Sequence, residues 1–244
     1  MKTCIIVPVY NHEEAIPLVV SKLKAFGIPC LLVNDGSSAV CSNVLADCAR
    51  HEPNWISLIT RHENGGKGAA VMDGFKEAIR LGFTHAIQID ADGQHDLNDI
   101  PKFLEASALS PQAMILGVPL FDETVPKGRL YGRKFTNLWI WINTLSFAIT
   151  DGICGFRLYP LTAVEQLTGK TRIAKRMDFD IDIVVRLYWQ GVEFINIPTS
   201  VKYPYDGVSH FQLWRDNLMI SKTHARLFFG MLIRIPQLLI RHWR

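Results

Sequence analysis

The stretch Gln88-Ile-Asp-Ala-Asp-Gly-Gln-His-Asp96 holds three carboxylates and a carboxamide directly after an apolar run. The run is typical of a buried strand, and side chains alternate along an extended chain, so Asp90 and Asp92 can point the same way where the strand ends. Neighbouring carboxylates repel unless a positive charge lies between them. A hard divalent cation such as Mg2+ or Mn2+ fits, because it takes oxygen ligands and shares them with phosphate groups. The motif alone leaves a solvated acidic loop as the alternative.

Strand and helix patterns alternate over the first part of the chain, which predicts an α/β fold with a mainly parallel sheet. The predicted strands cover residues 3–9, 30–33, 55–60, a run that ends at Ile89, and 113–117. Ligands of open parallel sheets bind beyond the carboxyl ends of the strands. We therefore expect four loops to converge on one site, at residues 8–14, 34–38, 62–68 and 90–96.

The loop Glu63-Asn-Gly-Gly-Lys-Gly68 precedes a predicted helix and carries one lysine. It fails the Walker pattern, and the dinucleotide fingerprint is missing after the first strand. A glycine-rich loop at a helix start can nevertheless hold an anion through backbone N–H groups and the helix dipole. A tight turn with a solvated Lys67 is the other interpretation.

The composition is that of a folded globular protein with a sizeable core, since 48% of the 244 residues are apolar and 20% are charged. The five cysteines form no Cys-x-x-Cys pair, which indicates a reducing compartment rather than a disulfide or zinc framework. Neither a signal-peptide pattern nor an apolar stretch of about 20 residues is present, so we expect a cytoplasmic location without an ordinary spanning helix.

The basic residues are concentrated near the C-terminus. Of a formal net charge of +3, residues 215–244 carry +5 and the remainder −2. A basic segment rich in Leu, Phe and Ile predicts contact with an anionic membrane surface and not with nucleic acid. The apolar part, 227–240, is too short to span a membrane, and we expect Arg234 and Pro236 to break it. A helix docked on the domain or on a second subunit is the alternative.

Four motifs lie in the order and spacing of a known family: Ile5-Ile-Val-Pro-Val-Tyr-Asn11, Val33-Asn-Asp-Gly-Ser-Ser38, Asn64-Gly-Gly-Lys-Gly-Ala69 and Asp90-Ala-Asp-Gly-Gln-His95. They resemble the family-2 glycosyltransferases, and most closely the branch that makes polyprenyl-phosphate sugars, the dolichol-phosphate mannose synthase-like enzymes. Cys154-Gly-Phe-Arg-Leu158 resembles that branch's Ser-Gly-Phe-Arg segment, and Asp151 precedes it where the family also has an acid. The resemblance covers residues 4–210.

The resemblance implies a GT-A fold and an inverting transfer from a UDP- or GDP-sugar with Mg2+ or Mn2+. The residues that it assigns to the nucleotide sugar are Pro8, Tyr10, Asn11, Asp35, Lys67 and Asp90. It assigns Asp90, Asp92 and Gln94 to the metal and to the diphosphate that the metal binds. For His210 three interpretations are open: a metal ligand, a contact with the diphosphate, or a structural residue in a turn.

The acidic cluster Met177-Asp-Phe-Asp-Ile-Asp-Ile183 opens a predicted helix, with Asp178 as an expected N-cap. Inverting transfer to a hydroxyl needs one general base, whereas an acceptor phosphate is already an anion. Asp180 aligns with the base used across much of the family, and Asp182 aligns with a glutamate of the polyprenyl-phosphate branch. We favour Asp180 over Asp182.

The acceptor side departs from the polyprenyl-phosphate branch. Arg129 and Arg133 lie where that branch binds the acceptor phosphate, and Arg133 matches one of its arginines. The branch's Gly-Ser-Arg is Gly117-Val118-Pro119 here, so one expected phosphate ligand is absent. Its Arg-x-x-Gly-x-Ser-Lys becomes a segment with Pro204 for the arginine and His210 for the lysine. Residues 138–149 predict either a buried core helix or an interface helix beside the acceptor site.

The sequence therefore predicts a GT-A domain over residues 1–210 and a basic amphipathic helical segment over 211–244. The expected protein is a metal-dependent glycosyltransferase of cell-envelope biosynthesis, peripheral on the inner face of the membrane. It would act on a lipid-linked acceptor, a polyprenyl phosphate or a glycolipid, with a homodimer or a membrane partner protein left open.

Two other functions remain open from the sequence. A sugar-1-phosphate nucleotidyltransferase should have a glycine-rich loop with a basic residue after the first strand, where this chain has Pro-Val-Tyr-Asn. A non-catalytic nucleotide-sugar-binding protein would tolerate loss of the acids, which are all present. Donor-dependent release of a nucleoside diphosphate separates the three.

Overall fold

The computed structural model describes residues 1–121, 125, 127–201 and 212–242. Its elements are β1 (Thr3–Val9), α1 (Ile16–Lys24), β2 (Cys30–Asn34), α2 (Ala39–His51), β3 (Ile56–Thr60), α3 (Lys67–Arg80), β4 (His85–Gln88), a short 3-10 helix (Leu97–Asp99), α4 (Ile100–Leu109), β5 (Met114–Leu120), α5 (Lys127–Thr144), β6 (Arg157–Pro160), α6 (Leu161–Thr168), α7 (Phe179–Trp189), β7 (Phe194–Ser200) and α8 (Leu213–His242).

The strands form one sheet in the order β3-β2-β1-β4-β6-β5-β7. Strand β6 runs antiparallel to both of its neighbours, and the other pairs are parallel. The predicted α/β class with a mainly parallel sheet is thus confirmed. The four residues of β6 are too few to show a strand period, so the sequence pattern does not predict this strand.

Apolar side chains pack on both faces of the sheet, as the continuous hydrophobic runs of its strands require. One core joins the sheet to α3, α5, α6, α7 and α8, with Ile6 and Val33 pointing toward these helices. The other joins the sheet to α1, α2 and α4, with Ile5 and Leu32 on that side.

Helix α5 begins earlier and ends earlier than the predicted segment 138–149. The helix stops at Thr144 because Leu145 takes a left-handed conformation with φ 49°. The chain then turns back on the helix, and the indole N–H of Trp141 donates to the carbonyl of Ile149 at 2.8 Å.

Helix α8 is continuous through Arg234 and Pro236, so the predicted break is wrong. Pro236 lies on the exposed side, where water can satisfy the backbone carbonyl that the proline leaves free. The opposite side is anchored to the domain. Gln237 donates to the carbonyl of Trp189 at 3.1 Å, and Arg241 donates to that of Val192 at 2.6 Å.

One face of α8 packs on α5 and α7, where Leu227, Met231 and Leu238 are buried. The Thr223 hydroxyl donates to the Asp178 carboxylate at 2.6 Å. Asp178 holds the N-cap position of α7, as expected, but its side chain makes no capping hydrogen bond. The carboxylate binds α8 instead.

His224 is buried between α8 and α5, and its Nδ1 atom lies 3.2 Å from the amide nitrogen of Asn143. Burial lowers its pKa from 6.5 to about 4. The ring is therefore neutral in the folded protein at a pH where the unfolded chain already binds a proton.

We expect acid to weaken the fold through His224. Its contribution is fully present above pH 6.5 and is lost as the pH falls toward 4, because the unfolded chain binds the extra proton. The loss should reach about 2 kcal/mol near pH 4.5. Denaturant unfolding of the wild type and of His224→Gln at pH 7.5 and 4.5 measures it, since glutamine does not titrate. Parallel pH profiles of the two proteins would contradict this prediction.

Candidate active site

The predicted loops converge at the carboxyl edge of the sheet. Because β6 is antiparallel, the start of this strand lies beside the end of β4, with Arg157 opposite Gln88. The Cys-Gly-Phe-Arg motif thereby reaches the acidic loop. A Cβ atom at position 155 would overlap the Asp90 carboxylate, so Gly155 is needed for this close approach.

Asp35 holds the glycine-rich loop in place. Its buried carboxylate accepts the N–H groups of Gly65 at 2.9 Å and Gly66 at 2.8 Å, and it lies 2.8 Å from Nε of Arg61. Burial raises the pKa of Asp35, against the opposing effect of these partners. Its predicted contact with the nucleoside stays a prediction, and its contacts in the structure anchor the loop.

The loop after β1 is fastened to the loop after β2 by Asn11. Its side-chain oxygen accepts the N–H of Ser38 at 2.8 Å, and its own N–H donates to Ser37 at 3.2 Å. Asn11 is left-handed with φ 52°, a conformation that asparagine tolerates better than most residues. Pro8 and Tyr10 lie at the same edge, in β1 and directly after it.

Lys67 lies at the centre of the site, at the first residue of α3. Its ammonium is 2.9 Å from Asp90 Oδ1, 3.0 Å from Asp90 Oδ2 and 2.8 Å from Asp180 Oδ2. Burial alone would lower the pKa of Lys67, but Asp180 and Asp90 outweigh it and raise that pKa. The interpretation as a solvated lysine is wrong, because the side chain is only 16% exposed.

Asp92, Gln94 and His95 follow Asp90 around the turn at Gly93. Burial and the charge of Asp90 raise the pKa of Asp92, which accepts the N–H of Gln94 at 3.0 Å. Burial would raise the pKa of Asp90 as well, but Lys67 and His95 hold it well below its usual range. A cavity of about 420 Å3 lies between this loop and α1.

The two candidate bases have different surroundings. The Asp180 carboxylate meets Lys67 through Oδ2, while its Oδ1 lies 3.2 Å from Arg157 and accepts from Gln88 at 3.4 Å. The Asp182 carboxylate points away from this cluster and is fully buried. Its partners are the N–H of Ala174 at 2.8 Å, Arg186 at 2.7 Å and Arg226 of α8 at 3.2 Å.

The sequence analysis assigns no role to Gln88, Arg157 and Tyr159, three buried polar residues that support Asp180. Arg157 donates to the carbonyls of Cys154, Gly152 and Asp180, and Tyr159 donates to Gln88 at 2.9 Å. The signal in the sequence is a glutamine in β4 and an arginine in β6, because a polar side chain inside a short buried strand needs a hydrogen-bond partner.

On the acceptor side, Arg133 forms a two-point ion pair with Asp151. Asp151 also accepts the N–H groups of Ile153 and Cys154, and the charge of Arg133 lowers its pKa against the effect of burial. Arg129 lies in the first turn of α5, and its side chain is outside the described part of the chain. His210 is outside the described residues as well.

The donor set fits a metal that is shared with phosphates. In the described part of the chain, no three Asp, Glu, His or Cys side chains gather closely enough to hold an ion by themselves. Asp90, Asp92 and Gln94 supply side-chain oxygens from a single loop. Mg2+ and Mn2+ sites of this kind take their remaining ligands from substrate phosphates and water.

A family model of glycosyl transferase family 2 matches residues 4–167. The chain belongs to this family, which confirms the resemblance, and it is a glycosyltransferase.

Two relatives and one solved structure give the range of similarity. The chain is 27% identical to a polyprenol monophosphomannose synthase of Mycolicibacterium smegmatis, over 85% of this chain and 80% of that protein. It is 25% identical to an undecaprenyl-phosphate mannosyltransferase of Micrococcus luteus, over 82% of this chain and 83% of that protein. A mannosyltransferase of Pyrobaculum calidifontis, solved with GDP-Man and Mn2+, superposes with a TM-score of 0.60 at 18% identity, over 96% of this chain and 64% of that one. Such neighbours confirm the GT-A fold.

Proposed function

We propose that this protein transfers a sugar from a UDP- or GDP-sugar to a lipid-linked acceptor, with inversion at the anomeric carbon. The observation that carries the proposal is the juxtaposition of Asp90 and Asp180 across the Lys67 ammonium. One acid follows the central strand β4 and the other opens α7, so donor-side and acceptor-side groups share one site. The names of the two relatives support a lipid phosphate as the acceptor class.

The donor would lie along the loops at the carboxyl edge. Pro8, Tyr10, Asn11 and Asp35 would border the nucleoside, and Lys67 and Asp90 the diphosphate. Asp90, Asp92 and Gln94, with His210, would hold Mg2+ or Mn2+. When bound, that ion stabilises the negative charge that develops on the departing diphosphate.

Asp180 would act on the acceptor. Its Oδ1 atom is held by Arg157 and Gln88, so Oδ2 is the oxygen directed toward Lys67 and Asp90. As the acceptor oxygen attacks the anomeric carbon and the bond to the diphosphate breaks, a hydroxyl acceptor gives its proton to Oδ2. An acceptor phosphate needs no base, and Arg133 and Arg129 would then bind it.

Helix α8 would bind the membrane that holds the lipid-linked acceptor. Its exposed apolar residues lie within about a third of the helix circumference at 3.6 residues per turn, opposite the docked face. This apolar stripe consists of Trp214, Leu218, Phe229, Leu232, Ile233, Leu239 and Ile240. Among the described helices, none is long and apolar enough to cross a bilayer. A helix of this pattern lies in the membrane interface.

The basic residues of α8 divide between two roles. Arg226, Arg234 and Arg241 contact Asp182, Trp189 and Tyr188 of the domain. Arg215 and Lys222 are exposed. We therefore propose that residues 213–242 form an integral part of the folded domain, and that apolar contact dominates membrane binding.

A donor screen tests the proposed function. GDP-mannose, UDP-glucose and UDP-N-acetylglucosamine, each radiolabelled and supplied with Mn2+, are incubated with undecaprenyl phosphate or with a bacterial lipid extract. We expect nucleoside diphosphate release and labelled lipid from at least one pair. Formation of GTP or UTP and a sugar 1-phosphate when pyrophosphate is added would indicate a nucleotidyltransferase, and binding without turnover a non-catalytic protein.

We expect EDTA to abolish transfer and Mn2+ or Mg2+ to restore it. Asp92→Asn should lower kcat by about 100-fold or more, because it weakens the binding of the ion that stabilises the charge of the leaving group. Asp96→Asn is the matched control, since Asp96 lies in the same loop and caps the N–H of Asn98. Full activity of Asp92→Asn in EDTA would rule out this metal site.

With a hydroxyl acceptor, Asp180→Asn should remove turnover while donor affinity stays within a few fold. Asp182→Asn should keep measurable turnover and lower the free energy of unfolding by about 3 kcal/mol, because it unbalances buried ion pairs. Steady-state kinetics and denaturant unfolding on both variants measure this. An inactive but stable Asp182→Asn protein would reverse the assignment, and activity in both variants would favour a phosphate acceptor.

Replacing Phe229 and Ile233 by asparagine should weaken binding to liposomes by about tenfold or more, because each apolar side chain contributes roughly 1.5–3 kcal/mol when buried. Binding of the wild type should change little between low and high salt. The control is Leu109→Asn, an exposed leucine at the end of α4. If the wild type, the Phe229 and Ile233 variant and the Leu109→Asn control all sediment equally with liposomes, the apolar stripe does not bind the membrane.

A further inference from the structure

The Lys67 ammonium contacts the acid assigned to the metal and the acid assigned to the acceptor at the same time. Its three contacts with Asp90 and Asp180 are all between 2.8 and 3.0 Å. Both carboxylates are largely buried, so these contacts are poorly screened by water. If the Lys67 ammonium moves to another partner, Asp90 and Asp180 therefore both lose an ion pair.

A divalent ion and the ammonium compete for the same oxygens of Asp90. Both carboxylate oxygens lie within 3.0 Å of the Lys67 ammonium, and the backbone at Gly155 approaches the carboxylate closely. A metal ion on Asp90 would therefore lie close to the positive charge of Lys67. Two cations on one buried carboxylate would repel each other strongly.

A diphosphate offers the ammonium another set of partners. Lys67 is the first residue of α3, and its flexible stem can follow an anion that binds at the start of this helix. The metal then replaces the Lys67 ammonium as the cation beside Asp90. The ammonium in turn neutralises part of the negative charge of the diphosphate. Neither exchange is favourable without the other.

We propose that Lys67 makes the binding of the metal ion and of the nucleoside diphosphate mutually dependent, and that its release from Asp180 frees Oδ2 for the acceptor. This inference rests on the proposed function. The acceptor-side acid is then available only in the donor-loaded enzyme.

Calorimetric titrations of Mn2+, with and without saturating UDP or GDP, test the inference on four proteins. Wild-type protein should bind Mn2+ alone weakly and at least about 30-fold more tightly with the nucleotide. Lys67→Met should bind Mn2+ alone about tenfold more tightly than the wild type, because the competing charge is gone. The nucleotide should then raise the Mn2+ affinity of Lys67→Met by only a few fold. By linkage, Mn2+ should raise nucleotide affinity by the same factors.

Two controls separate charge from side-chain loss. Lys67→Arg keeps the positive charge and should keep most of the dependence. Lys76→Met removes an exposed lysine of the same helix and should behave as wild type. If Lys67→Met fails to fold because it leaves buried acids unpaired, Lys67→Met/Asp180→Asn removes one of those acids and takes its place.

Equal affinity of the wild type and Lys67→Met for Mn2+ alone would overturn the inference while the donor site stands. Failure of wild-type protein to bind UDP or GDP with Mn2+ would overturn the proposed function together with the inference. Mn2+ binding that is tight in the wild type without any nucleotide would also overturn the inference.

Discussion

The arrangement of the site depends on the hydrogen bonds of the buried Arg157 guanidinium. Arg157 is fully buried in the antiparallel strand β6, and its donors reach the loop before that strand and the first turn of α7. A buried charge is stable only when paired and fully hydrogen-bonded. Satisfying this one residue therefore fixes how α7, and Asp180 with it, meets the end of β4.

Much of the fold could be predicted because local patterns and motif order agree. Continuous apolar runs predict buried parallel strands, and the acids after them predict a site at the carboxyl edge. Strand β6 could not be found in this way, since four residues show no period and its antiparallel direction is set by pairing with distant strands. Helix α8 continues through Pro236 because its docked face is fixed by tertiary contacts, which local propensity does not include.

The side chains that the structure brings together at the candidate site could be found in the sequence, but their hydrogen-bond and ion-pair partners could not. The sequence places Asp180 and Asp182 on one helix turn, where only the family resemblance favours Asp180. The structure separates them by direction, since Asp180 faces Lys67 and Asp182 faces Arg186. The same holds for Asp35, whose partners at Gly65 and Gly66 lie a whole strand and helix further along the chain.

The two ties between α8 and α7 flank Asp180 on either side, at Asp178 through Thr223 and at Asp182 through Arg226. The region shared with the family model ends at residue 167, before α7 begins. The match to the family model therefore ends before the helix that carries Asp180 and before the helix that is bound to it. A protein trimmed to residues 4–167 would keep the loops that follow β1, β2, β3 and β4 and would lose Asp180 itself, together with α7 and α8.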